Sequence, residues 1–348
     1  MTKMGRIRWL LLFGLVLVSC SKKTQAPKAE NTGQPAAVPT QANASPAAET
    51  PTAPAAATNG AGVKTEMRNV MFHWTPTAAA HLRLISGELK PIGTNDMVVL
   101  DDKASFELRV ATGTVSISPQ ALADILNGFV FAKKDAPLKD LSISIDNSRL
   151  ILKGKLHSKG DIPFGTAGTL SVNADGRLRV HTEKITALKL PVKGFLGLFG
   201  VELANLMHTS NIAGIETDRN DLLLDMGELL PPPRIRGKLT GVRVETDAIV
   251  TLFGDGGKSL PPPREKGSYM LLEGNPVRFG NLVMQQADLT VLDLDPGATL
   301  DWSQDHFREQ LVAGYAKITP NFGLRAYVKD YSRLGRPSPS SPGIVPGT

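Results

Sequence analysis

The 348-residue chain carries a formal net charge of +6 and a pI of about 9.3, values that invite a nucleic-acid reading. The charge is unevenly placed: Lys3, Arg6 and Arg8 lie in the first 20 residues, residues 21–62 add one net positive charge and Arg336 another, so residues 63–333 hold 32 basic against 31 acidic side chains. A phosphate-binding surface along the whole chain and an acidic disordered class are disfavoured, and a single cysteine excludes a disulfide framework or a multi-cysteine metal site in a monomer. In chain order, Met1–Arg8 is a short basic segment and Trp9–Val18 an apolar run of ten. That run is too short to cross a bilayer comfortably and has the length of a signal-peptide core.

The run ends in Leu17-Val18-Ser19-Cys20, which resembles the lipobox of bacterial lipoproteins. The resemblance implies that residues 1–19 are a lipoprotein signal peptide, that the Cys20 thiol takes a diacylglycerol anchor and that the new amino terminus usually takes a further acyl chain such as palmitate. The competing readings are an ordinary secretory signal with an incidental cysteine, or a buried core thiol. Charge, core length and box coincide, which favours the lipobox. Two or three acyl chains anchor a protein stably where one does not. Ser21 stands where an Asp often retains lipoproteins at the inner membrane, so the resemblance points to the periplasmic face of the outer membrane, with the membrane as partner through acylated Cys20.

Residues 21–62 contain 13 Ala and 6 Pro, with Val38 the single large apolar residue and no aromatic. Such a segment cannot bury enough apolar area to offset its ordering entropy. The acylated amino terminus and tether, residues 20–62, are therefore expected to be a disordered spacer with a reach of roughly 35 Å.

Period-two alternation begins near Val63 and predicts a folded region over 63–333. Val70, Phe72 and Trp74 alternate with polar or smaller neighbours; Leu82–Lys90 follows, then Phe106–Val110 and Thr114–Ile117, read as one strand interrupted near Gly113. Leu141–Ile145 and Leu150–Leu156 flank Asp146-Asn147-Ser148, a hairpin signal, and Thr166–Val172 and Leu178–Thr182 flank Asn173-Ala174-Asp175-Gly176. The strand from Leu178 is expected to reach toward Leu190, with further strands at Leu222–Met226, Lys238–Phe253, Tyr269–Glu273, Asn281–Leu294 and Leu324–Val328.

Three helices interrupt the strands. Ser118-Pro119 is an N-cap with Pro at the first helical position, ahead of an apolar stripe of Leu122, Ile125, Leu126, Phe129 and Val130. Gly194–Met207 is apolar almost all round through Phe195, Leu198, Phe199 and Leu203, and Trp302–Ala313 is predicted as a third helix capped by Asp301 or Ser303.

This order of elements over residues 105–253 resembles the TULIP superfamily of tubular lipid-binding proteins, and within it the periplasmic, YceB-type lipoproteins. The resemblance implies an α+β fold in which a long, curved antiparallel β-sheet wraps around one or two apolar helices and leaves an apolar tunnel. It does not extend to 268–333, expected to be a C-terminal extension packed on the same sheet, or to 334–348, expected to be a disordered tail. A groove lined by Leu122, Ile125, Leu126, Phe129, Phe195, Leu198, Phe199 and Leu203 would bind or shuttle a lipid or another apolar molecule. The alternative is a non-catalytic interaction module for an envelope protein partner, with both helices plugging a filled core.

Catalytic signals are weak. The six histidines lack zincin spacing and no Gly-x-Ser-x-Gly occurs. Gly256-Gly257-Lys258-Ser259 ends like a phosphate-binding loop, but Leu252 replaces the required glycine and Pro261–Pro263 stand where the helix should run. The acidic pairs Asp101-Asp102 and Asp293/Asp295 read as solvated turns before they read as cation sites. Leu230-Pro231-Pro232-Pro233-Arg234 recurs thirty residues later at Leu260–Arg264 and is expected to form stiff connectors. The expectation is a protein without enzymatic activity, cofactor, metal or nucleic-acid partner.

Overall fold

The computed structural model describes residues 62–94, 96–157, 161–183, 186–187 and 212–335. In chain order the strands are β1 (Val63–His73), β2 (Ala79–Pro91), β3 (Val98–Val99) and β4 (Phe106–Ile117), followed by helix α1 (Pro119–Ile125) and a π-helical turn, Leu126–Val130. Next come β5 (Leu138–Asp146), β6 (Arg149–His157), β7 (Asp161–Val172), β8 (Leu178–Thr182), β9 (Thr186–Ala187), β10 (Ile215–Asp218) and β11 (Asp221–Leu224). A one-turn helix, Met226–Leu229, precedes β12 (Arg234–Arg236), β13 (Leu239–Val244) and β14 (Ile249–Phe253). The remainder is β15 (Tyr269–Gly274), β16 (Val277–Phe279), β17 (Leu282–Met284), β18 (Ala287–Asp293), β19 (Leu300–Ser303), helix Phe307–Val312, β20 (Tyr315–Ile318) and β21 (Leu324–Val328).

The fold is mostly β with few helices, broadly α+β. Its larger sheet runs β13-β14-β4-β2-β1-β15-β18-β21-β20, with β12 alongside β4 and β19 alongside β1. A second sheet runs β10-β11-β8-β7-β6-β5, with β9 alongside β7, and β17-β16-β3 form a third. Most neighbours are antiparallel, but β1·β19, β4·β12, β18·β21 and β3·β16 are parallel.

The centre of the larger sheet is β1, which changes partner at one residue. Lys64–Arg68 pair antiparallel with β15, and Val70–His73 pair parallel with β19. Asn69 between them has φ +54, a left-handed conformation that Asn tolerates because its short polar side chain bonds locally. Its Nδ2 donates to Ser268 Oγ at 2.7 Å, Thr299 Oγ1 donates to its Oδ1 at 3.1 Å, and His81 Nε2 lies 2.8 Å from the same oxygen.

Several expectations change. Gly113 does not interrupt β4; a Cβ there would lie 2.4 Å from the Leu84 carbonyl oxygen, so the glycine permits close approach of β2. The Lys238–Phe253 span is a hairpin, turned where Glu245 N donates to Ala248 O at 2.7 Å. Asn281–Leu294 divides into β17 and β18, which belong to different sheets. Trp302 and Ser303, expected to open a helix, belong to strand β19: pairing with β1 claims them, and the helix Phe307–Val312 starts at His306 without a side-chain cap from Asp301 or Ser303. The segment 268–333 supplies five strands to the larger sheet, which also takes β4 and β12–β14 away from any single sheet over 105–253. Asp293 is buried and not a solvated turn residue. Both proline triplets are connectors held by the sheet: Trp74 Nε1 donates to Pro233 O at 3.1 Å, and Arg68 Nη2 donates to Pro261 O at 2.6 Å.

Candidate functional site

The second sheet and α1 build the site. As β4 leaves the larger sheet, Ser118 caps α1: the Ala121 N–H donates to Ser118 Oγ at 3.1 Å, and Pro119 occupies the first helical position. The chain then passes from α to π geometry, closed by the Phe131 N–H donating to Leu126 O at 2.7 Å. Asn127 fixes this turn to the sheet. Where the β5·β6 register shifts between Lys139 and Ser142, Leu141 loses its strand partners, and Asn127 supplies both bonds: Nδ2 donates to Leu141 O at 2.8 Å and Oδ1 accepts from Leu141 N at 2.9 Å.

Between α1 and the sheet lies a cavity of about 90 Å³. Its floor consists of alternate residues along each strand, including Leu150 and Leu152, Leu170, Val180, and Leu222 and Leu224. Because successive side chains of a strand point to opposite faces, these leucines and valines occupy one face of the sheet. Leu122, Ile125, Leu126 and Phe131 close it from the helix side, and Ile249 of β14 reaches in from the larger sheet. The polar lining residues Thr166 and Thr182 are satisfied elsewhere, donating to Glu183 O at 3.1 Å and Asn220 O at 2.7 Å. No titratable side chain is among the described lining residues, so the cavity asks an occupant for no directional bond.

An ion network holds the one-turn helix over one end. Arg236 donates to Glu107 of β4 at 2.6 Å and to Glu228 at 2.7 Å, while Arg234 donates to Glu228 at 2.8 Å. The Arg236 guanidinium holds the Glu228 carboxyl below the usual carboxylate range. Burial opposes ionisation of Glu107, yet Arg109 and Arg236 together also hold it below that range. Beside this end, Phe129, Val130, Lys133 and Asp135 line an outer, mixed-polarity cleft that shares Leu229 with the cavity.

Of the residues read from the sequence as a groove, Leu122, Ile125 and Leu126 line the cavity, whereas Phe129 lies in the outer cleft and is 41% exposed. The π turn explains the difference: its extra residue moves the inward place one turn on from Leu126 from i+4, Val130, to i+5, Phe131, and leaves Phe129, at i+3, on the outer side with Val130. Cys20, Phe195, Leu198, Phe199 and Leu203, with the predicted helix Gly194–Met207, lie outside the described residues. The sheet-face residues were not assigned to the site from sequence, although the alternation of Leu150-Ile151-Leu152 and its neighbours carried the signal.

A smaller apolar cavity of about 60 Å³ lies within the larger sheet, bordered by Phe72, Leu82, Phe279, Trp302 and Phe307. Among the described residues no cluster of His, Cys, Asp and Glu is placed to hold a metal ion, and no helix is long and apolar enough to cross a membrane. Comparison with protein-family models, curated proteins and solved structures finds no match.

Proposed function

We propose that this chain is a non-catalytic envelope lipoprotein, anchored through acylated Cys20, whose cavity under α1 takes the aliphatic part of a lipid or a similar apolar molecule. In this reading the second sheet and α1 form the TULIP-like element, with the sheet as one wall and the helix as the other. The supporting observation is the cavity lining: alternate aliphatic residues from neighbouring strands facing an amphipathic helix, with the two threonines already bonded. Each methylene transferred from water into such a lining gains about 0.8 kcal/mol. One water needs about 10–15 Å³ on the same scale, so 90 Å³ accommodates several methylene groups, worth a few kcal/mol without a specific polar contact.

The test is native mass spectrometry of protein extracted from membranes, before and after delipidation, beside a Leu170→Trp variant whose indole fills the cavity. Lipid adducts on the parent that are absent from Leu170→Trp, with both proteins folded by circular dichroism, are the expected result. A parent protein without adducts would overturn the reading in favour of an interaction module with a filled core.

A further inference from the structure

The turn that joins β20 to β21 exposes apolar side chains from a rigid frame. Ile318 is 74% and Phe322 93% exposed. Thr319 N donates to Gly323 O at 2.7 Å, Phe322 N to Thr319 O at 3.0 Å and Gly323 N to Thr319 Oγ1 at 2.9 Å. Phe322 has φ +61, a left-handed conformation that is unfavourable for a bulky aromatic. The turn thus forgoes both apolar burial and relaxed backbone geometry, a combination that persists where another surface makes use of it.

The position of the turn identifies that surface. Lys64 of β1 stands opposite Glu273, Glu273 opposite Asp288, and the next residue, Leu289, beside Leu324, which faces Ile318. The start of β1 and the Phe322 turn therefore lie at the same end of the larger sheet, four strand spacings or roughly 19 Å apart. The 42 residues from Ser21 to Gly62 join the fold at that end; a flexible chain of that length would reach roughly 35 Å, enough for an acylated Cys20 and the turn to touch one membrane together.

The chemistry fits a bilayer surface. Between Val312 and Leu324 the sole charged residue is Lys317, whose ammonium lies 5.3 Å from the Tyr315 ring centroid and 5.5 Å from that of Tyr327. An apolar tip backed by tyrosines and a lysine matches the order of acyl chain, interface and anionic headgroup. A second copy added along β20 is opposed by Lys317, since lysine on an edge strand discourages strand pairing.

We propose that the β20–β21 turn inserts Ile318 and Phe322 into the surface of an anionic phospholipid bilayer, the one to which the tether is anchored, and so orients the domain on it. The proposal rests on the anchored reading of Cys20. The experiment uses the full membrane-extracted protein carrying Phe322→Trp, reconstituted into phosphatidylethanolamine–phosphatidylglycerol vesicles with and without brominated acyl chains, beside the unsubstituted parent. Trp74 and Trp302 are buried and Trp9 falls in the signal peptide that the lipobox reading removes, so emission beyond that of the parent reports the turn. A tip held about 5–10 Å into the headgroup boundary should show blue-shifted emission and lose roughly half of the added intensity to bromine; Ile318→Asp in the same background should reduce that quenching.

Red-shifted, unquenched emission from protein that floats with the vesicles would overturn the proposal and leave the anchor intact. Blue-shifted but unquenched emission would assign the turn to a second copy or another protein and overturn it as well. Failure of the protein to float at all would remove the anchored reading and the proposal with it, whereas adducts in the cavity report independently through mass spectrometry.

Discussion

The two apolar cores of this molecule are built on opposite principles. In the core against the larger sheet, rings pack against rings: Phe72 and Trp74 meet edge-on with centroids 5.3 Å apart, and Phe307 stacks on Phe279 of β16 at 5.4 Å and on Trp302 at 5.9 Å. Buried polar groups brace the same sheet, Tyr269 from a separate small cluster with Leu271 and Leu292. Tyr269 donates to Glu66, and Gln310, fully buried, donates to Asp301 O at 2.7 Å and Lys329 O at 2.8 Å while accepting from Ser303 N at 2.8 Å. Under α1 the described lining is aliphatic apart from Phe131, the two bonded threonines, Gly168 and Met226. Ring geometry and hydrogen bonds have preferred directions, so the larger core specifies one arrangement. Aliphatic contacts have none, so under the proposed function an occupant of the smaller one would exchange without breaking a directional bond.

The contrast can be broken most severely at Trp74, which is 2% exposed and donates its indole N–H to Pro233 O. Trp74→Ala should cost about 3–5 kcal/mol in denaturant unfolding; a loss below about 1 kcal/mol would show that the aromatic core does not specify the fold.

Asp293 sharpens the comparison with an intermediate effect. It is 4% exposed, its Oδ2 has no partner, and its Oδ1 accepts from Asp295 N at 2.7 Å. Burial, with the nearby charges of Asp330 and Asp295, pushes its pKa up to about 6 despite that bond. The unfolded value is about 3.9, so the native state binds this proton more tightly. The stability it contributes is present below about pH 4 and lost as pH rises through about 6. Asp293→Asn should therefore raise stability at pH 7.5 by about 1–3 kcal/mol, with the gain shrinking toward pH 4. A gain that is equal at both pH values would contradict the titration.

The smallest effect belongs to Ser118. Removing its cap by Ser118→Ala should cost about 1 kcal/mol and appear locally, as faster amide exchange in α1 with the larger sheet unchanged. Equal loss of protection in both regions would mean that the helix is not an independently adjustable wall of the cavity.

Local chemistry was legible in the sequence where local energy decides. Ser118-Pro119 marked the start of α1, and Asp146-Asn147-Ser148 marked a turn in which Asn147 and Ser148 both take positive φ. The strand alternation also carried the floor of the cavity, though that floor becomes a site only when β6, β7, β8 and β11 present the same face. The π turn was not legible, because Leu122, Ile125, Leu126 and Phe129 fit a regular helix equally well and the bonds of Asn127 to Leu141 exist only after β5 has docked.

By itself, then, the sequence determined the near-neutral folded region, its alternating strands, the capped helix and the apolar character of the faces, all consequences of residue spacing and side-chain chemistry. Tertiary structure alone decided which edges met. Val70–His73 and Leu300–Ser303 are separated by more than 200 residues, yet their parallel pairing turned the start of an expected helix into a strand, and the pairing of β1 with β15 joined the strands of 268–333 to the larger sheet. The reason is that a strand edge must satisfy its backbone groups, and its neighbour is chosen by the packing of the whole sheet, which no local pattern records.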